Sequence, residues 1–78
     1  MAKGRGYSTL TARYINEANS VMLGVKLGKI CVAKNIPVSD VAEYLKVSRM
    51  TVYSWFLGRH DVADRHYAKV EELVEKLS

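Results

Sequence analysis

Residues 47–58, VSRMTVYSWFLG, place Val52 and Trp55 on one side of a helix and Arg49, Met50, Tyr53 and Ser54 on the other. A solvated helix face is ordinarily rich in Lys and Glu, and a core face does not begin with Arg. The outward set carries a guanidinium fork, a phenol, a hydroxyl and a thioether. Such groups hydrogen-bond to a partner and pack against it; they do not make and break bonds. Nothing else in the chain supplies catalysis. There is no glycine-rich phosphate loop and no nucleophile–base pairing that spacing supports, and 78 residues leave little room for a pocket. No enzyme, cofactor or small-molecule ligand is therefore expected. His60 and His66 lack Cys or acidic companions at ligand spacing, so no metal site is expected either.

The elements that must hold this face can be read on both sides of it. Ser48 is a natural N-cap for a helix over about 49–57, with Val52, Trp55 and Phe56 inward and Gly58 as its stop. Phe56 is expected in the core or only partly exposed. Before it, a short helix over about 38–46 turns Val41, Ala42 and Leu45 inward, and the tight turn KVS joins the two. Earlier still, Leu23, Leu27, Ile30 and Cys31 recur on one face of a helix over 21–34. Asn19 and Ser20 read as its cap, Asn35 as a left-handed stop, and Pro37 as the break that follows. Gly24 and Gly28 lower helix propensity by roughly 1 kcal/mol each, and their spacing would let another backbone approach. Ser8 to Ala18 reads as a further short helix, with Ser8 as cap and Leu10 and Tyr14 one turn apart. After the loop GRHDVAD, Asp64 would cap a last helix over about 65–77, with Val70, Leu73, Val74 and Leu77 inward. Its Glu71, Glu72 and Glu75 form a solvated face or pair with Lys69 and Lys76. Helices this short do not stand alone in water. The expected fold is an all-α bundle of four to five helices around one core, with residues 1–19 as a basic arm carrying the short helix and 20–78 as the domain proper.

Composition fits a small globular chain, 49% hydrophobic and 26% charged. No apolar run approaches the roughly 18 residues of a membrane span. The N-terminal MAKGRGYSTL has cations but no apolar stretch behind them, so it does not read as a signal peptide. The single Cys31 has no disulfide partner within the chain and suits a reducing cytoplasm. Net charge is +4, unevenly spread. Lys3, Arg5, Arg13, Lys26, Lys29 and Lys34 face only Glu17 in the first 34 residues, whereas residues 61–78 are net acidic. A basic front end suggests an anionic partner.

Two short helices joined by a three-residue turn, the second opened by Ser, are the sequence form of a helix-turn-helix. The run VAEYLKVSRMTVYSW resembles that motif in the lambda-repressor/Cro-like (XRE) family of DNA-binding regulators. Val41, Ala42, Leu45, Val47, Ser48, Thr51, Val52, Trp55 and Gly58 match the family pattern, and Leu23, Gly24, Leu27, Ile30, Asn35 and Ile36 resemble its preceding helix. The likeness covers about residues 20–74. Three departures stand out. Lys46 replaces the turn glycine, which costs about 1 kcal/mol in a left-handed turn. Pro37 and Val38 replace the polar residue that opens the family's second helix. No counterpart of the family's further C-terminal helix, a common dimer element, follows residue 77.

The resemblance implies a lambda-repressor-like fold, cytoplasmic work as a phage or bacterial transcriptional regulator, and a partner of double-stranded DNA occupied by a homodimer. It implies that the helix at 49–57 enters the major groove with Arg49, Met50, Tyr53 and Ser54 at base edges. Arg49 suits guanine O6 and N7, and Met50 a thymine methyl. Ser48, Thr51, Lys46, Arg59, His60 and Lys34 are the expected phosphate contacts, and Lys3, Arg5 and Arg13 an arm on the duplex. Bland readings stand beside these: a plain helical hairpin, Arg49 on a phosphate rather than a base, and a solubilising tail for the N-terminal cations. Two other functions fit the same residues. One is an adaptor that binds a protein through Met50, Tyr53 and Phe56; the other is a DNA-packaging or recombination accessory module.

Overall fold

Ser8 opens the first helix by accepting a hydrogen bond from the Thr11 N–H at 3.1 Å on its Oγ. In this computed structural model, which describes residues 7–78, five helices follow one another: α1 (Thr9–Glu17), α2 (Leu23–Lys34), α3 (Val38–Leu45), α4 (Arg49–Phe56) and α5 (Asp64–Leu77). No strand occurs among the described residues, and no helix is long and apolar enough to cross a membrane.

Three successive helices end by the same device. At the close of α2, α3 and α4 a residue turns left-handed: Asn35 (φ 59°), Lys46 (φ 60°) and Gly58 (φ 75°). The next residue's N–H then reaches back to the helix: Ile36 to the Cys31 carbonyl at 2.8 Å, Val47 to Ala42 at 3.0 Å, and Arg59 to Ser54 at 2.9 Å. The otherwise unpaired carbonyls of the last turn are thereby satisfied. Asn tolerates this conformation and Gly is free in it, but Lys46 adopts it against its Cβ, at a cost of about 1 kcal/mol.

The core is wholly apolar. Ile15, Leu27, Cys31, Val38, Val41, Ala42, Leu45, Val52, Trp55, Phe56, Val62 and Val70 form one buried cluster. No buried side-chain nitrogen or oxygen lacks a partner among the described residues. The closest approach is between α2 and α4. A Cβ built on Gly24 would lie 2.7 Å from the Trp55 Cβ, and one on Gly28 would lie 2.8 Å from the Phe56 Cγ. Both glycines are consumed inside the fold by α4, so their face is not available to another chain. Phe56 is fully buried, not partly exposed.

Several expectations need correction. Helix α2 starts at Leu23 rather than at 21, because the Asn19 side chain folds onto the Val21 N–H at 3.0 Å and keeps that turn out of the helix. Its N-cap is Met22, with no side-chain cap bond, not Asn19 or Ser20. The helices expected to reach 46 and 57 stop one residue earlier, with Lys46 and Leu57 as caps. Asp64 is the first residue of α5 rather than its cap, where a carboxylate favours the helix dipole; the cap is Ala63. On α1 the buried residue is Ile15, while Leu10 and Tyr14 point outward. On α2, Val25 is fully buried, while Leu23 and Ile30 are only half-buried, because the stripe rotates toward the glycines where α4 rests. On α5 only Val70 is fully buried; Leu73, Val74 and Leu77 lie at the core's edge. The segment read as an arm with a short helix contributes that helix to the core through Ile15.

Candidate functional site

Helix α4 carries two unlike faces in eight residues. Val52, Trp55 and Phe56 are buried. Arg49 and Tyr53 are exposed, Met50 is 78% exposed, and Ser54 is half-buried. No acidic residue lies in the helix. Its start is held by Ser48, whose Oγ accepts from the Thr51 N–H at 3.1 Å and lies 2.9 Å from the Thr51 hydroxyl. The Thr51 and Val52 N–H groups are thus both bonded back to Ser48, at the end of a helix that attracts anions.

A surface cleft of about 360 Å³ runs along this start, lined by Ser48, Met50, Thr51, Ser54, Trp55 and His60. The fold therefore gathers Met50 and Ser54, expected at bases, with Ser48, Thr51 and His60, expected at phosphates. Arg49 is exposed at the first position of the same helix. Lys46 is exposed in the turn before it, and Lys34 is exposed at the end of α2; neither lines the cleft. Arg59 does not join His60. It lines a separate cleft with Tyr14, Glu17, Ala18 and Leu57. Arg13 is exposed on α1, with its Nε 3.5 Å from a Glu17 carboxylate oxygen. Lys3 and Arg5 lie outside the described residues.

Two contacts escaped the sequence reading. The Tyr7 hydroxyl donates to the Ile36 carbonyl at 2.6 Å, which ties the start of α1 to the α2–α3 corner. Burial chiefly, then the neighbouring Cys31 and Tyr53, pushes ionisation of that phenol to higher pH. Its one sequence signal is its place just before the Ser8 cap, where an apolar residue commonly packs back on the helix. His66 of α5 lies against Trp55, ring centroids 5.8 Å apart at 53°, so α4's position is fixed from the α5 side as well. Among the described residues no group of three His, Cys, Asp or Glu side chains is placed to hold a metal ion. Comparisons of the chain with protein-family models, curated proteins and solved structures return no match.

Proposed function

We propose that this chain is a small DNA-binding regulator of lambda-repressor-like type. In this reading α3 and α4 act as a helix-turn-helix, and two copies occupy a symmetric operator in a cytoplasmic setting. The observation that carries it is the outward face of α4: Arg49, Met50 and Tyr53 exposed on a helix without an acid, beside a cleft of hydroxyls and an imidazole. In the major groove Arg49 takes guanine O6 and N7, Met50 covers a thymine methyl, and Ser54 and Tyr53 reach base edges or sugar. Ser48, Thr51 and the first N–H groups of α4 hold a phosphate, with His60 on the same cleft and Lys46 and Lys34 adding charge.

Anisotropy of a labelled random-sequence duplex, titrated as salt rises from about 50 to about 200 mM, tests the reading on wild type and Arg49→Ala. Affinity should fall steeply with salt, and on an operator selected from random duplexes Arg49→Ala should bind about tenfold more weakly. No binding at the lowest salt overturns it. The 78% exposure of Met50 favours a second reading, a protein-binding surface on α4. Phe56 has no part in that surface, being buried. Binding to a protein that survives high salt while DNA binding is absent would select it. An accessory role in DNA packaging or recombination also predicts DNA binding, but selection from random duplexes would then yield no preferred operator.

A further inference from the structure

The chain doubles back on α4 just after that helix ends. Gly58 turns left-handed (φ 75°), and the Arg59 N–H reaches the Ser54 carbonyl at 2.9 Å. The next residue, His60, is thereby carried to the side of α4 that holds Ser48, Thr51 and Ser54, and with them it lines the cleft of about 360 Å³. Those three positions recur at helical spacing and form one row. The Ser48 and Thr51 hydroxyl oxygens lie 2.9 Å apart. His60 is exposed, so its imidazole is open to a partner at the cleft. An imidazole beside two hydroxyls offers a hydrogen-bond donor in either state of the ring. It offers positive charge only when the ring holds its second proton.

Among the described residues that line this cleft, His60 alone changes charge near neutral pH; the others are Ser48, Met50, Thr51, Ser54 and Trp55. The charged groups around it are of a different kind. Lys46 and Arg49 are exposed at the start of α4 and do not line the cleft. Arg59 lines the separate cleft beside α1. Asp61 follows His60 in the loop and is exposed, as are Asp64 and Arg65 at the start of α5. His66 of α5 meets the Trp55 ring, with centroids 5.8 Å apart. Lys and Arg stay cationic and Asp anionic between about pH 5.5 and about pH 7.5, whereas histidine changes charge there. We propose that protonation of His60 strengthens the hold of the α4 start on a DNA phosphate, so that DNA binding tightens as pH falls across that range. This rests on the DNA reading, since the polyanion is the ligand and the imidazolium is one more cation on it. The sign follows from charge: a protonated ring is attracted to a phosphate oxygen and donates to it, whereas a neutral ring only donates. Each phosphate that the protein neutralises also releases counterions, which steepens the log–log salt slope by about 0.9. Acid therefore changes the slope as well as the affinity.

Anisotropy of the full chain on one labelled duplex tests it, at about pH 5.5 and about pH 7.5 and from about 50 to about 200 mM salt. Wild type should bind about fivefold more tightly at the lower pH, with a salt slope steeper by about 0.9. His60→Gln should show the shallower slope at both pH values, and His60→Arg the steeper slope at both. His66→Gln should keep the wild-type response to pH. Helical circular dichroism should match for all four proteins at both pH values, which separates the loss of a charge from the loss of the fold. A wild-type slope that does not change with pH overturns the inference, as does a His60→Gln response equal to that of wild type. A response lost in His66→Gln but kept in His60→Gln moves the titrating group to α5 and overturns it too. A chain that binds no duplex at either pH sinks the DNA reading and this inference with it; a chain that binds with one slope at both pH values sinks only this one.

Discussion

Helices α1 and α4 begin alike and end up with different surfaces. Both open with Ser-x-x-Thr, and in both the Ser Oγ accepts from the Thr N–H at 3.1 Å with the two hydroxyls 2.9 Å apart. Past the cap they diverge. Helix α4 buries Val52, Trp55 and Phe56, whereas α1 buries only Ile15. Outward, α4 shows a cation and apolar groups with no acid, while α1 shows Leu10 and Tyr14 with the Arg13–Glu17 pair. The shared cap fixes where a helix starts. What the helix presents outward depends on the sign of the charge and the amount of apolar surface left outside.

The comparison can be pressed by substitution. Ile15→Ala should have the largest effect, about 3 kcal/mol in urea unfolding, because a fully buried side chain leaves a cavity. A loss under about 0.5 kcal/mol, the size typical of a surface site, would mean that α1 is only draped on the bundle. Gly24→Ala should follow at about 2 kcal/mol: helix propensity gains about 1, but the new methyl meets the Trp55 backbone and forces α2 and α4 apart. Ser8→Ala and Ser48→Ala should each cost about 1 kcal/mol. The two caps then separate in function, since only Ser48→Ala should also weaken DNA binding. Equal loss of DNA binding from both would erase the distinction drawn between the helices.

The smallest expected effect is a dependence on alkali. Burial pushes the Cys31 thiol up to about 11, so the folded chain keeps a proton that the unfolded chain sheds nearer pH 9. This contribution to stability is whole below about pH 9 and is lost as pH rises through about 11. Burial acts in the same direction on Tyr7. The urea midpoint should therefore drift down across that window, and less so in Tyr7→Phe. A midpoint flat to pH 11 would contradict the burial of both groups.

Local chemistry was legible in the sequence, and depth was less so. The joint between α3 and α4 was read to within a residue, because Ser48, Lys46 and Gly58 act through bonds to near neighbours. The left-handed Asn35 was read for the same reason. The buried side of α1 was not. Leu10 and Tyr14 look like its apolar stripe, yet Ile15 faces inward, toward the space Gly28 leaves open; a Cβ there would lie 3.1 Å from the Ile15 Cγ2. Val25 was missed for a related reason, since the partner helix decides which side of a glycine-notched helix is covered. On the candidate site, Arg59 and His60 are adjacent in sequence but line different clefts, because the chain turns sharply after Gly58.

Trp55 is the only tryptophan in the chain, and its surroundings make it an optical gauge. It is 4% exposed, its backbone faces Gly24 of α2, and its ring meets His66 of α5. Three helices thus converge on one fluorophore, and parting any of them would shift its emission to longer wavelength. The same indole borders the cleft with Met50 and Ser54. One emission band would therefore register both the integrity of the bundle and any molecule that docks at α4, without a label.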